Sequence, residues 1–354
     1  MRHKIIPVFI PHASCPNQCI FCNQKEITRV VGYDLDSVSA TLSGLVGSLR
    51  CISYAKREIA FYGGSFTAIE SEYQESLLAL AKRYIDNGQI DSIRVSTRPD
   101  YINEDILSRL HRYGVRTIEL GVQSMSDHVL DANRRGHTRQ DTIDASKLIR
   151  ERGFMLGHQI MPGLLDDTRE TILKTAAESI CLKPDFLRVY PCLVVKDTKL
   201  YELFKAGEYA PMTIDEAVSI CKSIFLMAQA GGVKIIRMGL HPERDFVDDG
   251  FVAGPFHPAF KQLVVSSLFC DISEMLIERS ATKGEAKFIV NPKDISNFVG
   301  IRGANVKRLK EKYSLSNIEF TAESNLKQGS IAIDNSGTLF KADLSEAPLN
   351  ICQA

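Results

Sequence analysis

Along the first two-thirds of the chain, hydrophobic positions switch repeatedly between two periods. Short apolar runs of strand character at 5–10, 58–62, 92–96, 117–121, 154–160 and 186–190 alternate with stretches at 36–50, 72–87, 104–113, 140–152, 168–180 and 214–230, whose apolar residues recur every three or four positions. A further run at 233–238 adds a terminal strand. Strands separated by helices can pair in parallel only through crossovers, and those crossovers are right-handed. Six such units predict an α/β fold, a partial (β/α)6 TIM-like barrel rather than the complete eight-unit form. The pattern breaks after residue 242. Gly254–Phe260 reads as a loop and 261–280 as one helix, and a polar connector follows. Then come a strand at 287–290, a short helix at 292–298, a break at Gly300-Ile301-Arg302-Gly303, a helix at 304–313 and strands at 317–321 and 330–333. The expected organisation is a barrel at 1–240, a connector with a helix at 241–283 and a small α+β domain at 284–354.

Chemistry in a parallel barrel gathers at the C-terminal ends of its strands. Polar and glycine residues stand at nearly every such end. The first strand runs into a cysteine loop and the second into Tyr62-Gly63-Gly64-Ser65-Phe66-Thr67. The third runs into Ser96-Thr97-Arg98-Pro99-Asp100-Tyr101 and the fourth into Gly121-Val122-Gln123-Ser124. The fifth carries His158 and the sixth Arg188-Val189-Tyr190. Plain turns would supply Gly, Pro and Ser; they would less often supply Arg, Gln and His.

Composition narrows the class. With 44% hydrophobic and 24% charged residues, the 354-residue chain has the make-up of a globular protein. Its net charge of zero gives no global field toward nucleic acid, so any basic surface must be local. The apolar run at 5–10 is short and lacks a small-residue cleavage site, so it reads as a strand and not a signal peptide. No stretch reaches the roughly 20 apolar residues of a membrane span. Nine cysteines, an odd and mostly scattered set, argue against a disulfide framework and for a reducing cytoplasm. Cys51, Cys181, Cys192, Cys221 and Cys270 sit among apolar neighbours and are expected to be inert core thiols.

Cys15, Cys19 and Cys22 are different. Their Cys-x3-Cys-x2-Cys spacing lets one loop wrap three sulfurs around a metal centre. Thiolates select iron–sulfur clusters, zinc or cuprous copper. A closed iron–sulfur site takes four cysteines, and here no fourth is near. Three protein ligands leave one coordination position open for substrate. Zinc with His12 as fourth ligand, or a disulfide, stays open at this point.

The loop, with Phe21 before its last cysteine, resembles the cluster loop of radical S-adenosylmethionine (SAM) enzymes. From 5 to 240 the ordered set Gly63-Gly-Ser-Phe-Thr67, Thr97-Arg-Pro-Asp-Tyr101, Glu119-Leu-Gly-Val-Gln-Ser124, Arg135-Gly-His-Thr138, Met161-Pro-Gly163, Arg188-Val-Tyr-Pro191 and 193–203 with Gly207-Glu-Tyr209 resembles the radical-SAM domain of the elongator catalytic subunit and its short bacterial relatives. The resemblance implies an enzyme with a [4Fe–4S] cluster on Cys15, Cys19 and Cys22. It implies SAM chelated to the open iron and cleaved to a 5′-deoxyadenosyl radical, and an electron donor such as flavodoxin or ferredoxin. It assigns Phe21, Gly63, Gly64, Ser65, Thr67, Thr97, Arg98, Asp100, Gln123, Ser124 and Arg188 to the cofactor. Gly63-Gly64 lets backbone approach a ligand closely. Arg98 is a fork suited to a carboxylate, unless it pairs with Asp100 at the surface; Asp100 could otherwise bond ribose hydroxyls. Ser65 stands where many superfamily members have glutamate. Arg188 on an apolar strand needs an anion, either a ligand carboxylate or Asp185. His137, His158 and Tyr190 are candidates for substrate handling, with ordinary packing as the alternative. The elongator subunit continues into an acetyltransferase domain, and no glycine-rich acetyl-CoA loop occurs before Ala354, so no acetyl-CoA chemistry is expected of this chain alone.

The C-terminal order β-α-GxxG-α-β-β resembles a K-homology (KH) module, whose GxxG loop clamps a nucleic-acid backbone. Seven Lys or Arg against three acidic residues lie between 284 and 313. Gly300, Arg302, Gly303, Lys307 and Arg308 are therefore expected to hold RNA, and a tRNA base is the expected substrate. A helix cap with a solvated charged face is the alternative. Two rival functions remain: a small-molecule enzyme resembling oxygen-independent coproporphyrinogen oxidase, and an RNA-binding redox sensor. No membrane partner is expected.

Overall fold

The alternating strands and helices close into a curled parallel half-barrel. The computed structural model describes residues 3–10, 15, 18–23, 34–48, 54–240 and 250–348. In chain order come β1 (His3–Phe9), α1 (Leu35–Gly47), β2 (Lys56–Tyr62), α2 (Ser71–Asp86), β3 (Ser92–Thr97), α3 (Glu104–Arg112), β4 (Val115–Gln123), α4 (Asp127–Ala132) and α5 (Arg139–Glu151). These are followed by β5 (Met155–Ile160), α6 (Arg169–Cys181), β6 (Phe186–Val189), β7 (Val194–Val195), α7 (Lys199–Ala206), α8 (Ile214–Ala230), β8 (Lys234–Met238) and β9 (Phe251–Ala253). Seven strands form one sheet in the order β1-β2-β3-β4-β5-β6-β8, and β1 to β6 pair in parallel. The helices begin where the sequence supplies caps. Thr138, Thr168 and Thr213 each close a capping box ahead of α5, α6 and α8, satisfying amide donors that the helix leaves open.

Side chains alternate across each strand, which gives the sheet two distinct faces. Ile59, Phe61, Ile93, Val95, Ile118, Leu120, Leu187 and Val189 form a buried apolar layer. Glu58, Arg94, Glu119 and Arg188, at the intervening positions, are buried as well and meet one another on the inner face. Three elements were absent from the expected order, and all are short: α4 with 6 residues, α7 with 8 and the antiparallel pair β7–β9 with 2 and 3.

The chain divides into two compact units. One comprises Met1–Met212, Val233–Ile236 and Leu240–Pro255; the other comprises Thr213–Gly232, Arg237–Gly239 and Phe256–Ala354. Helix α8, placed with the barrel by its position in the sequence, therefore belongs to the second unit. Its Leu226 is buried in a core with Leu268, Phe269, Phe288 and Phe298.

The second unit continues with α9 (Phe260–Ser280), β10 (Glu285–Val290), α10 (Ile295–Val299), α11 (Ala304–Tyr313), β11 (Asn317–Ala322), β12 (Ser330–Asn335) and β13 (Thr338–Asp343). Its sheet runs β11-β10-β12-β13. β10 is parallel to β11 and antiparallel to β12, which is antiparallel to β13. The last strand was not anticipated. It follows a two-residue turn at Ser336-Gly337, both with positive φ (54° and 85°), the geometry of tight hairpin turns.

Cysteine placement departs from expectation at one position. Cys192, Cys221 and Cys270 are buried, but Cys181, at the end of α6, is exposed. Cys51 and His12 lie outside the described residues. Among the described residues, no helix is long and apolar enough to cross a membrane.

Candidate functional site

The ends of β1 and β2 are held against each other. Ile10 donates its N–H to the Tyr62 carbonyl at 2.8 Å. Gly63 has φ +108°, and a Cβ there would lie 3.1 Å from the Ile10 carbonyl oxygen, so glycine is required at this turn. The described part of the cysteine loop is anchored by its apolar residues. Phe21 is buried with Ile20 among Leu164, Cys192, Val194, Leu200 and Tyr209, so its ring pins the loop. The Ile20 N–H bonds the Asn133 carbonyl at 3.3 Å, and the Ile20 carbonyl accepts from Leu200 at 2.8 Å.

Cys15, Cys19 and Cys22 form no disulfide among the described residues, and each is partly exposed. Burial pushes the Cys15 thiol up, opposed by the Ser65 backbone N–H and the nearby Arg135 and Arg98 charges. Arg135 Nη1 donates to Cys19 Sγ at 3.0 Å. Cys22 donates its N–H to the Cys19 carbonyl at 3.1 Å. Two cationic side chains thus stand beside the thiols.

The hydroxyls beyond β2 and β3 form one buried cluster. Ser65 Oγ lies 2.9 Å from Thr97 Oγ1, Thr97 also bonds Thr67, and the Arg98 N–H donates to Ser65 Oγ at 3.2 Å. Arg98 and Asp100 do pair, with Asp100 at the surface. Arg98 is buried and donates Nε and Nη2 to the two Asp100 oxygens at 2.9 and 2.7 Å, leaving Nη1 buried without a partner. Asp100 is thereby occupied. Gln123, at φ 63°, accepts from Gln159 Nε2 at 3.3 Å. Ser124 is buried 3.3 Å from Thr175 of α6, and its hydroxyl is spent on structure.

On the inner face Glu119 collects three donors. Arg94 Nη1 donates at 2.8 Å, Tyr62 Oη at 3.1 Å and Arg188 Nη2 at 3.1 Å, and Arg188 Nε lies 2.6 Å from the other oxygen in the ion pair. Glu58 accepts from Arg94 Nη2 at 2.7 Å and Ser92 Oγ at 2.9 Å, and Lys56 lies at 2.9 Å. Burial alone would raise the Glu58 carboxyl; the Arg94 and Lys56 charges override it and hold it at about 2. Burial and the Glu119 charge push the Tyr62 phenol up, so it stays protonated. The partner of Arg188 is thus Glu119, not Asp185, whose Oδ2 accepts the Leu156 N–H at 2.7 Å. Arg188 also donates to Tyr62 Oη at 2.8 Å and Tyr190 Oη at 3.0 Å, aligning two phenols.

The two histidines separate. His158 lies against the helices, its Nδ1 2.9 Å from Ser179 Oγ and its Nε2 3.0 Å from Ser146 Oγ. Burial lowers its pKa to about 3, and its place is structural, away from the inner face. His137 bonds the Val122 carbonyl through Nε2 at 3.2 Å. Burial, then the Arg135 charge, lowers it to about 3, so it is neutral.

Sequence reading missed Glu58, Tyr62, Arg94, Glu119 and Arg135 as site residues. A signal existed for the first four: polar residues spaced by two within apolar strands.

In the second unit, Gly300, Arg302 and Gly303 all have positive φ (79°, 54° and 77°). A Cβ on Gly300 would lie 2.9 Å from the Asn305 backbone nitrogen. Asn305 Nδ2 donates to the Ser266 carbonyl at 2.8 Å and to the Asn297 and Phe298 carbonyls at 3.1 Å, fastening the loop to its own unit. Arg302 is exposed. Beside the loop lies an open groove of about 620 Å³, lined by Val299, Gly303, Val306, Lys307, Lys310, Glu311 and Phe320. Arg308, expected to face a ligand, instead donates to Glu274 of α9 at 2.9 Å, and Lys312 reaches the other Glu274 oxygen at 2.7 Å. Lys307 sits 3.8 Å from Glu311 in a solvent-exposed helical pair.

Known proteins align with this arrangement. The Radical SAM superfamily profile matches residues 9–178, and the Radical_SAM C-terminal domain profile matches 184–269. Over 256 residues the chain is 32% identical to the tRNA uridine(34) acetyltransferase of Methanocaldococcus jannaschii, covering 61% of this chain and 47% of that protein. Against Elongator complex protein 3 of Saccharomyces cerevisiae it is 26% identical, covering 61% and 46%. The chain spans about half the length of the curated relatives it matches. The structure of the Methanocaldococcus infernus Elp3 with residues 1–46 deleted shares the fold, with a TM-score of 0.57 and 23% identity over 80% of this chain and 66% of that one.

Proposed function

The chain belongs to the radical SAM superfamily, and from that premise we propose that it reductively cleaves SAM and uses the resulting radical on a tRNA base. It is an enzyme, and its cofactors are a [4Fe–4S] cluster and SAM. The residues present suit the cluster. Soft thiol donors stand at the end of β1, Cys15 takes a backbone N–H, and Arg98 keeps one buried donor without a partner. Among the described residues, no three His, Cys, Asp or Glu side chains converge as a single ion would require. A cubane does not ask for that, since each thiolate binds its own iron. Cys15, Cys19 and Cys22 would hold the cluster. When bound, this group supplies the electron that breaks the SAM sulfonium to give a 5′-deoxyadenosyl radical. The electron donor we propose is a flavodoxin or ferredoxin.

The observation that carries the reading is the gathering of Cys15, Cys19, Ser65 and Arg98 at adjoining strand ends of one half-barrel. The Arg188-aligned Tyr62 and Tyr190 phenols give the inner face neutral hydrogen-bond partners for a substrate. RNA is favoured by the GIRG turn. Two glycines open its backbone, Arg302 stands in solvent, and Lys307 and Lys310 flank a groove floored by apolar side chains.

The test uses anaerobically reconstituted protein. With a chemical reductant and SAM it should release 5′-deoxyadenosine and methionine. It should bind tRNA with an affinity that falls steeply with salt. The double variant Ile301→Asp with Arg302→Asp should bind tRNA at least tenfold more weakly and cleave SAM as wild type does. Wild-type tRNA affinity no greater than that of a neutral control protein would move the substrate to a small molecule. Absence of SAM cleavage by the iron-loaded protein would refute the reaction itself. Nucleoside mass spectrometry of tRNA from a deletion strain then identifies the base.

A further inference from the structure

Four guanidiniums are buried in the barrel unit: Arg94, Arg98, Arg135 and Arg188. Three of them lie against carboxylates, Arg94 on Glu58 and Glu119, Arg98 on Asp100 and Arg188 on Glu119. Arg135 is the exception. It is 7% exposed, and among the described residues no carboxylate pairs with it. Nη2 donates to the Gly121 carbonyl at 2.8 Å and Nη1 to Cys19 Sγ at 3.0 Å, while Nε is buried with no partner. The backbone holds it in place: its N–H bonds the Leu130 carbonyl at 2.9 Å, between Arg134 and Gly136 at φ 53° and 71°.

A guanidinium does not shed its proton in a protein. A buried cation without an anion is strongly unfavourable, so the fold has left room for negative charge at the point Arg135 faces. That point is the Cys19 sulfur. A neutral thiol does not supply the charge; a thiolate bound to a cluster does. Hydrogen bonds to the sulfurs of a cluster and nearby charge set its reduction potential, because reduction adds an electron that a fixed cation stabilises.

We propose that Arg135 is a positioning residue that poises the cluster, its Nη1 donating to the Cys19 sulfur and raising the reduction potential. The proposal rests on the radical SAM reading and adds a residue to it. The guanidinium makes electron entry easier before SAM is cleaved, and it does so without touching SAM or substrate.

The experiment is a potentiometric titration of the reconstituted protein without SAM, followed by electron paramagnetic resonance, with iron content measured on the same samples. Arg135→Gln removes the charge, and Arg135→Lys keeps it but replaces the fork with a single point. Arg135→Gln should retain its iron and show a midpoint potential lower by at least a tenfold change in the reduction equilibrium, about 59 mV for one electron. Arg135→Lys should fall between it and wild type. An iron-loaded Arg135→Gln with the wild-type potential overturns the proposal. If Arg135→Gln does not load, Arg135→Lys decides, and an unshifted potential there overturns it. Loss of iron from both variants would make Arg135 a residue that builds the site, which also overturns it. A wild type that takes up no iron is a separate outcome, and refutes the radical SAM reading instead.

Discussion

The inner sheet face of the barrel unit hides its charges, whereas the GIRG turn and α11 of the C-terminal module display theirs. On the inner face of the sheet Arg94 is 3% exposed and Glu58 0%, and each charge is answered within hydrogen-bond distance by another strand. In the module Arg302 stands in solvent, and Lys307 is 78% exposed in its side chain. The difference separates two kinds of electrostatics. Buried pairs are barely screened by salt and are coupled to folding; exposed charges are screened within about 10 Å at 0.1 M salt and have little influence on folding. On the proposed function, the barrel would hold reacting groups in a fixed field, and the module would grip RNA with a strength that depends on ionic strength.

The largest effect that tests this contrast is all-or-none. Replacing Cys15, Cys19 or Cys22 by Ala should abolish the iron and sulfide that the reconstituted protein takes up, about four of each per chain. Cys221→Ala should leave both unchanged, because Cys221 is fully buried and remote in sequence from the loop. Iron retained by any of the three loop variants would mean that the replaced cysteine is not a ligand, and stoichiometric zinc in anaerobically purified protein would mean that this end of the barrel is built for another metal.

The next effect is on folding. Glu58→Gln leaves Arg94 with half of its compensation, and breaking a buried pair costs about 3–5 kcal/mol. The pH dependence has a definite sign. The folded carboxyl sits at about 2, below its ordinary 4.5, so its stabilisation is complete above 4.5 and is lost as pH falls toward 2. Denaturation of both proteins at pH 7 and pH 3 should show a large gap that narrows at the lower pH. A gap of similar size at both would show that the lost stability comes from packing rather than charge.

Much of this contrast was written locally in the chain, and the rest depended on folding. Strand order was legible because the two periods alternate cleanly, and the Cys15–Cys22 loop stood out because its three cysteines share one short segment. Strand parity was also available: Leu156, His158 and Ile160 share a face and Gly157 and Gln159 the other, which assigns His158 to the helices. The partner of Arg188 could not be read, because Glu119 is 69 residues away and arrives only through the β4-β5-β6 register. Arg135 stood in the Arg135-Gly-His-Thr138 motif, but its sulfur partner lies 116 residues earlier and could not be read from that string. The GIRG turn was visible as a string, whereas the capture of Arg308 by Glu274 required packing of α11 on α9.

That capture yields the smallest and most discriminating effect. If the module holds a single strand of RNA, each lysine or arginine that neutralises a phosphate contributes about 0.7 to the slope of log affinity against log salt. Lys310 lines the groove beside Gly303, so Lys310→Ala should flatten the slope by about that amount. Arg308 has its charge engaged by Glu274, which also holds Lys312. Arg308→Ala should therefore leave the slope nearly unchanged and cost at most about 1 kcal/mol of stability, the range of an exposed ion pair. Titrations of tRNA at four salt concentrations separate the two variants. Equal flattening in both would mean that Glu274 releases Arg308 to the phosphates, and that the exposed face of α11 is arranged by its ligand and not by the fold.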